Sequence, residues 1–400
     1  KIVILRSTGS IVKNLINILK KDKNNYEIVL LTAEKNYLEL LKQANLFKVK
    51  NLIITNENSY LKLKKKNFSH KINIFNNFLS FNKIFKNKID YSMCAISGLE
   101  GLRPTINIIK YTKLIAIANK EAIICGWNII KKELKKFKTN FIPVDSEHFS
   151  IHYALKANSS NNIQFVYLTA SGGPFHKTTL NKFRDIKINE TLKHPNWSMG
   201  KKISVDSATL MNKVFEIIEA KKLFNLTYKK LKILVHPKSY VHALIKFNDG
   251  MIKIIAHDTS MVIPIHNTLY HYKTKYIKTK EIDIKKLNKL NFENVNYKKF
   301  PLVKILSKLP EKDSLYETII VATNDELVKQ FLDKKIKFLD LMNKIYKFIN
   351  LDEFKRYKYI KTNKIENIEK LNQLDFDKVN YKKFQLFKIL SNLSEKDSQY

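Results

Sequence analysis

Three acidic side chains in this sequence could bind a divalent metal ion together. Asp145 and Glu147 are two residues apart in the segment 143–148, so in an extended chain both would project to one side. Two carboxylates this close repel each other unless a cation or a proton lies between them. Glu216 could join them from the segment 207–222, whose apolar spacing predicts a helix. Carboxylate-only ligation favours Mg²⁺ or Mn²⁺ over zinc, although an isolated Asp-x-Glu pair is more typical of a surface strand.

A second group of polar residues could bind an anion such as phosphate. Ser171 precedes a Gly-Gly turn that would offer a hydroxyl and backbone N–H groups, although ordinary β-turns have the same composition. Asn212 lies four residues before Glu216 on the same predicted helix face, with Lys213 beside it. We expect Ser207 to cap the N-terminus of this helix, where backbone N–H groups attract negative charge.

Two further segments point to a ligand crevice and its cover. The run 117–121 ends an apolar strand with Asn-Lys-Glu, and polar residues at the carboxyl end of a parallel strand face the crevice. The first turn of a solvent-exposed helix would have the same pattern of polar residues. Trp197 lies between Pro195 and Gly200, and an exposed tryptophan in such a segment is typical of a mobile lid over a substrate.

The segment 6–12, named here the cofactor turn, has the strand–loop–helix pattern of a dinucleotide site. Glycines in such turns let the backbone approach a pyrophosphate. Only the middle one, Gly9, is present, so the turn alone is equally typical of an ordinary strand-to-helix connection. After the second strand, Lys35 and Asn36 suit a 2′-phosphate, whereas Glu34 would repel it.

The elements that must position these residues can be inferred from the apolar runs. In the first 145 residues, strand-like runs alternate with helical ones, which predicts a doubly wound, Rossmann-like parallel sheet. These strand-like runs are 2–5, 27–31, 52–55, 91–96 and 114–118. From 146 to 270, strands and one helix mix, which predicts a smaller α+β domain, with a hairpin turn at Gly250. From 300 onward the spacing predicts helices, for example 311–332 and 338–348.

The net charge of +37 comes from 73 basic and 36 acidic residues. The lysines are spread along the chain and accompany no nucleic-acid motif, so we expect no nucleic-acid partner. The charge would still steer an anionic substrate and cofactor inward. Two cysteines exclude a disulfide scaffold, and no apolar run reaches the roughly 18 residues of a membrane span, so we expect no membrane partner.

The C-terminal part contains one internal repeat. Lys286–Tyr316 and Lys370–Tyr400 align without gaps, and both contain Val-Asn-Tyr-Lys-Lys-Phe. A single pair of units is too short for a solenoid, so we interpret the second copy as a duplicated tail that is dispensable for activity. A swapped or dimer-facing element is the alternative.

Taken in order, these segments resemble the 1-deoxy-D-xylulose 5-phosphate reductoisomerase family. The resemblance covers the chain from Lys1 to about residue 350 and is strongest over 194–216, with further matches at 95–105 and 235–237. It implies an NADPH-dependent oxidoreductase that also uses Mg²⁺, Mn²⁺ or Co²⁺. The implied reaction converts 1-deoxy-D-xylulose 5-phosphate to 2-C-methyl-D-erythritol 4-phosphate, in the non-mevalonate route to isoprenoid precursors.

The resemblance also implies the division of the chain and its assembly. It implies an NADPH-binding domain at 1–145, a catalytic domain at 146–270, a linker at 271–299 and a helical domain at 300–369. The repeat adds the duplicated tail at 370–400. Two copies would form a homodimer. We expect a cytoplasmic location in a bacterium, or a plastid in a eukaryote. Because the chain opens on a strand-like run, we expect any targeting leader to have been removed or never present.

Carried over residue by residue, the resemblance implies a role for each candidate. It implies metal binding by Asp145, Glu147 and Glu216, which together with Lys120 would form the catalytic group. It implies substrate binding by Lys120, Ser146, Glu147, Ser171, His194, Trp197, Ser207, Asn212, Lys213 and Glu216. It implies NADPH binding by Thr8, Gly9, Ser10, Ile11, Lys35, Asn36, Asn119, Glu121 and Gly200.

This chain departs from the family pattern mainly around the cofactor. Arg6, Val12 and Glu34 stand where the family has glycines. We expect Val12→Gly and Glu34→Gly to tighten NADPH binding, whereas Arg6 could itself contact the pyrophosphate. Two alternatives to an active enzyme stay open: a relative that keeps the fold with weak or no NADPH turnover, and a basic protein that binds anions or nucleic acid.

Overall fold

The computed structural model describes residues 1–66, 70–156, 162–197, 199–271 and 275–373. It confirms the doubly wound parallel sheet predicted for the N-terminal part. All seven strands of this sheet run parallel, in the order β4-β3-β2-β1-β5-β6-β7. The strands are β1 (Ile2–Leu5), β2 (Ile28–Ala33), β3 (Asn51–Ile54), β4 (Asn73–Phe75), β5 (Ile89–Cys94), β6 (Thr112–Ile117) and β7 (Asn140–Pro143).

Both faces of this sheet are covered, which is why its strands are apolar runs rather than alternating ones. Along β1, Ile2 and Ile4 enter one hydrophobic core, whereas Val3 and Leu5 enter another on the opposite face. The helices of this part of the chain are α1 (Ser10–Lys21), α2 (Tyr37–Phe47), α3 (Glu57–Lys64), α4 (Phe81–Ile84), α5 (Leu102–Ile109) and α6 (Lys120–Lys136). Because β1 lies between β2 and β5, the strand order reverses beside it, and a ligand crevice opens at the carboxyl ends of these strands.

The middle of the chain forms the predicted α+β arrangement around a four-stranded sheet in the order β11-β10-β8-β9. Strands β10 and β11 form the predicted hairpin, and Gly250 turns between them at φ +87°. The strands are β8 (Ile163–Ala170), β9 (Leu231–Val235), β10 (Val241–Phe247) and β11 (Ile252–Ala256). The helices are α7 (Ser146–Leu155), α8 (Ile188–Thr191), α9 (Lys201–Ala208), α10 (Met211–Phe224) and α11 (Val262–Leu269).

The single helix predicted for 207–222 is wrong, because the structure has two helices there. Helix α9 ends at Ala208, α10 begins at Met211, and Leu210 between them has a left-handed backbone with φ +58°. Ser207 therefore lies in the last turn of α9 and does not cap a helix N-terminus. The break contains neither glycine nor proline, so the usual sequence signals of a helix end are missing.

The C-terminal part is helical as predicted, although the helix expected at 311 begins at Tyr316. Its helices are α12 (Ile284–Asn288), α13 (Tyr316–Leu332), α14 (Phe338–Ile349), α15 (Asp352–Lys355) and α16 (Ile365–Asn372). Side chains of α13 and α14 share one hydrophobic core with α5, α6 and α10, so these helices pack directly behind the site. Most of the duplicated tail, residues 374–400, lies outside the described residues. In the described ranges, no helix is long and apolar enough to cross a membrane.

Candidate active site

The three predicted metal ligands come together from the start of one helix and the middle of another. Asp145 is the residue before α7, Glu147 lies in the first turn of α7, and Glu216 lies on α10. One carboxylate oxygen from each lies within 4.8 Å of the others, although some 70 residues separate Asp145 from Glu216 in the chain. The short loop after β7 delivers the first two, and α10, packed alongside, delivers the third. We call this group, together with Lys120 and Lys213, the carboxylate centre.

Both lysines of the carboxylate centre form ion pairs with its carboxylates. The Lys120 Nζ lies 3.2 Å from Asp145 Oδ2 and 3.2 Å from Glu216 Oε1. The Lys213 Nζ lies 2.9 Å from Glu147 Oε1 and also contacts Glu216 Oε2. Three carboxylates against two ammonium groups leave an excess of one negative charge. The sequence placed all five residues in the site but gave no sign of this mutual neutralisation.

The two carboxyl groups on either side of Ser146 have opposite pKa shifts. Burial would raise the pKa of Asp145, but Lys120 and His148 hold it well below the usual value. Burial and the neighbouring Glu216 raise the pKa of Glu147 to about 7, against the opposing effect of Lys213. The hydroxyl of Ser146 donates a hydrogen bond to Glu147 Oε2. A cation bound among these groups would favour the ionised form of Glu147.

Behind the carboxylate centre lies a buried pair that the sequence analysis assigned no role. The His148 Nδ1 lies 3.3 Å from Asp145 Oδ1 and 3.6 Å from Glu219 Oε2, and its Nε2 lies 2.9 Å from the Glu216 carbonyl oxygen. Burial alone would lower the pKa of His148, but Glu219 and Asp145 raise it to about 9. The signal was present, since His148 is the residue after Glu147 and Glu219 lies one helical turn after Glu216.

A pocket suited to an anion adjoins the carboxylate centre. The ring Nδ1 of His194 accepts hydrogen bonds from the backbone N–H groups of Asn196 (3.1 Å) and Trp197 (3.0 Å). Its Nε2 therefore carries the proton and donates to Ser171 Oγ at 2.9 Å, and burial lowers the pKa of His194 to about 4. Because Ser171 Oγ also accepts from the Gly173 N–H at 3.1 Å, its own hydrogen is left to face a ligand.

The positions of Ser207, Asn212 and Trp197 complete this pocket. All three line the same cavity as the carboxylate centre. A Cβ atom on Gly173 would lie 2.7 Å from the Ser207 carbonyl oxygen, so only glycine lets the loop after β8 approach the end of α9 this closely. Trp197 was predicted to be exposed but is half-buried, with its ring edge-on to His242, whose place in the cavity the sequence analysis did not anticipate.

A second cavity leads from the carboxylate centre along the carboxyl ends of β1, β5 and β6. Its lining includes six of the nine residues predicted to bind the cofactor: Gly9, Ser10, Ile11, Asn119, Glu121 and Gly200. The other three, Thr8, Lys35 and Asn36, do not line it. The amide of Asn119 is used structurally, since its Oδ1 caps α6 and its Nδ2 donates to the Gly98 carbonyl oxygen at 2.8 Å. Lys35 forms an exposed ion pair of 3.1 Å with Glu34.

One lysine in this second cavity ties three elements together. The Lys202 Nζ lies 2.6 Å from Glu121 on α6, 3.0 Å from Asp206 on α9 and 2.9 Å from Asp325 on α13. Asp206 also accepts a 2.8 Å hydrogen bond from Asn324. Burial raises the pKa of Asp325 to about 6, because Lys202 offsets only part of the cost of ionising a third carboxylate there.

Comparisons with known proteins identify the family. Models described as 1-deoxy-D-xylulose 5-phosphate reductoisomerase, its C-terminal domain and the DXP reductoisomerase C-terminal domain match residues 2–126, 141–224 and 258–373. The 1-deoxy-D-xylulose 5-phosphate reductoisomerase of Pelagibacter ubique (strain HTCC1062) is 58% identical over 93% of this chain and 96% of its own length. This chain belongs to the 1-deoxy-D-xylulose 5-phosphate reductoisomerase family.

More distant reductoisomerases agree with this assignment. The one from Wolbachia sp. subsp. Drosophila simulans (strain wRi) is 37% identical over 86% of this chain and 88% of its own. The solved reductoisomerase from Zymomonas mobilis in complex with NADPH matches with a TM-score of 0.83 at 29% identity, over 93% of this chain and 95% of that one. A reductoisomerase solved with NADPH, fosmidomycin and magnesium matches with a TM-score of 0.85 at 27% identity, with the same coverage.

The cofactor turn of this reductoisomerase keeps a backbone conformation typical of glycine at a position where the family glycine is replaced. Arg6 has φ +67°, a left-handed conformation that glycine adopts most easily. The side chain of Val12 is fully buried in the core with Ile2 and Ile4, so it fills the space beneath α1. Val12 also lines the second cavity, so the expectation that it displaces the dinucleotide stays a prediction.

Proposed function

We propose that this family member converts 1-deoxy-D-xylulose 5-phosphate to 2-C-methyl-D-erythritol 4-phosphate with NADPH and a divalent metal ion. The observation that carries the proposal is the continuity of the site. The carboxylate centre adjoins the anion pocket on one side and the groove of the cofactor turn on the other, and Lys120 and Asn212 line both cavities. A reductive rearrangement of a phosphorylated keto sugar needs these three functions next to one another.

Asp145, Glu147 and Glu216 are the proposed metal ligands, because three clustered carboxylates suit Mg²⁺ or Mn²⁺. Such an ion would polarise the carbonyl and hydroxyl oxygens of the substrate and stabilise developing negative charge. Its charge would repel the two ammonium groups that now neutralise the carboxylates. Lys213 would then turn toward the substrate phosphate, and Lys120 toward the carbons that rearrange, where its charge favours the transition state.

The remaining candidates have binding roles in this proposal. Ser171, Ser207, Asn212 and Lys213 hold the phosphate, and His194 fixes the direction of the Ser171 hydroxyl. Binding energy from the phosphate thereby orients the distant reacting end. Trp197 covers the pocket and excludes water. The cofactor turn would hold NADPH, which would supply the hydride needed to reduce the rearranged aldehyde.

The test is steady-state oxidation of NADPH by the purified chain with 1-deoxy-D-xylulose 5-phosphate and Mg²⁺, with the product identified by NMR. We expect turnover that requires both the substrate and the metal. Binding of NADPH and Mg²⁺ without any turnover would instead support the alternative of a relative that keeps the fold but has lost activity. Oxidation that persists after chelation of the metal would contradict the role given to the carboxylate centre.

We also propose a homodimer in which β11 pairs with β11 of a second copy. Strand β11 is an outer strand of its sheet, and Ile252 and Ile254 expose 55% and 49% of their surface. Apolar outer strands of this kind pair readily with another chain. Light scattering should show a dimer that Ile254→Lys weakens and that Leu79→Lys, at an exposed residue outside this strand, does not change. A monomeric wild-type chain would contradict the dimer but not the reaction.

Of the two expected locations, we propose the bacterial cytoplasm, because the relatives named above are bacterial.

A further inference from the structure

The backbone of Arg6 adopts a conformation that is disfavoured for an arginine. Its φ of +67° lies in the left-handed region, where the Cβ atom of an L-residue crowds the neighbouring carbonyl oxygen. The strand next to β1 holds it there: the Arg6 N–H donates to Thr32 Oγ1 at 2.8 Å, and the Ser7 N–H donates to the Thr32 carbonyl oxygen at 2.7 Å. A non-glycine residue kept in this region is one place to look for a functional side chain.

The Arg6 side chain extends over the start of α1. A Cβ atom built on Gly9 would lie 3.8 Å from both Cγ and Cδ of Arg6, and Gly9 is the residue that precedes the first turn of α1. Arg6 is half-buried and lines the second cavity together with Gly9, Ser10 and Ile11. Its stem therefore lies against the part of the cofactor turn where a dinucleotide pyrophosphate would bind.

The Arg6 guanidinium has no partner within the part of the chain that the structure describes. No hydrogen bond or ion pair joins it to a described residue. Arg103 shows the contrast, since its Nε and Nη2 donate to Glu369 at 2.9 Å and 2.7 Å. A half-buried guanidinium with five unused N–H donors, beside a groove for an anionic cofactor, is placed to bind that anion.

We propose that Arg6 is a cofactor-binding residue whose guanidinium donates hydrogen bonds to the pyrophosphate of the dinucleotide. It replaces the close approach of a glycine backbone with a charged side chain, which explains how the chain keeps a cofactor turn with only one glycine. Guanidinium pairs with phosphate oxygens through two parallel hydrogen bonds, so the contact fixes orientation as well as charge. This inference rests on the proposed function, since NADPH is the dinucleotide.

The decisive experiment measures the dissociation constants of NADPH and NADH by calorimetry for the full chain and its variants. The two nucleotides share the pyrophosphate and differ by the 2′-phosphate. We expect Arg6→Met to weaken both by a similar factor of about ten, the loss that corresponds to one charge-assisted interaction. Arg6→Lys should recover part of the affinity. Higher salt should reduce the difference in dissociation constant between wild type and Arg6→Met. The matched control, Arg184→Met, removes an exposed arginine that lines neither cavity and should change neither constant.

Arg6→Gly guards against a folding artefact, because glycine suits the left-handed backbone and this variant should be at least as stable as wild type. It should nevertheless bind both nucleotides as weakly as Arg6→Met. Wild-type affinity in Arg6→Gly would overturn the assignment, and so would a loss confined to NADPH, which would indicate a 2′-phosphate contact. A wild-type chain that binds neither nucleotide would overturn the proposed function as well, so the two failures are distinguishable.

Discussion

The carboxylate centre and the cofactor turn border the same continuous site, but they depend on different properties of the chain. The carboxylate centre is built from side-chain atoms, so each residue type is required: an oxygen ligand or an ammonium group has few substitutes. The cofactor turn is built from backbone atoms, so it requires a particular backbone conformation rather than particular residue types. Arg6 takes a left-handed path usually given to glycine, because Thr32 holds it there. A turn can thus keep the backbone conformation of a glycine motif after most of its glycines have been replaced.

The largest effect is expected at the carboxylate centre. Glu216→Gln keeps the shape of the side chain but removes a proposed metal ligand and the shared partner of Lys120 and Lys213. We expect kcat/KM to fall by at least about 10²–10³-fold, because the charge that develops in the transition state loses its stabilisation. Weaker Mn²⁺ binding should accompany the loss.

Glu353→Gln, which changes an exposed glutamate on α15, is the matched control and should keep full activity. If Glu216→Gln also kept full activity, the carboxylate centre would not be the site of the reaction.

The next largest effect concerns stability, at the residue that the sequence predicts to obstruct the cofactor. Val12→Gly removes a fully buried side chain and places glycine inside α1. We expect a loss of about 2–4 kcal/mol in the free energy of unfolding, from the cavity and the lower helix propensity of glycine. Urea denaturation measures it, and Val12→Ala should lose less. Unchanged stability would contradict the structural role given to Val12, and tighter NADPH binding would confirm that its side chain obstructs the cofactor.

A pH effect is expected where Lys202 pairs with Glu121, Asp206 and Asp325. The pKa of Asp325, raised to about 6, means that the folded chain binds a proton more tightly than the unfolded chain does. Between about pH 4 and pH 6 this group therefore lowers stability as pH rises. Asp325→Asn removes that cost, so its stability relative to wild type should improve from pH 4 to pH 7 by on the order of 1–3 kcal/mol.

The exposed Asp333 provides the control, since Asp333→Asn should show no such change with pH. A stability difference between Asp325→Asn and wild type that is flat across this range would mean that Lys202 fully compensates Asp325.

The smallest effect is expected at Glu34, the residue that the sequence places as a source of repulsion toward the 2′-phosphate. Glu34 is exposed and already paired with Lys35, and charges in this setting interact weakly in salt. We expect Glu34→Gly to tighten NADPH binding by less than about threefold at 0.1 M salt. A tenfold gain would show that the cofactor turn is limited by charge near the ribose.

Residue type and short-range spacing were enough to predict most of the strands and many members of the site. The apolar runs predicted five of the seven parallel strands but not β4 and β7, which are short strands at the two edges of the sheet. Motifs, together with the family resemblance, predicted the members of the carboxylate centre. The sequence did not predict the break at Leu210, because a left-handed leucine is held by packing and has no local signal. Nor did it predict the ion pairs of Lys120, which join residues on different elements. The spacing placed His148 and Glu219 each beside a predicted ligand, but it did not show that the two side chains face each other. Such contacts depend on how helices pack, which spacing within one segment does not contain.

The segment from His194 to Trp197 is fastened before any ligand is present. His194 bonds to Ser171 and to two backbone N–H groups, and the Asn196 Nδ2 donates to the Pro237 carbonyl oxygen and to Ser239 Oγ. The entropy cost of ordering these residues is therefore met when the chain folds rather than when a substrate binds. The remaining consequence for the substrate is kinetic. In the proposed role of this segment as a cover, these hydrogen bonds would have to open for the substrate to enter, so they would slow both its binding and its release.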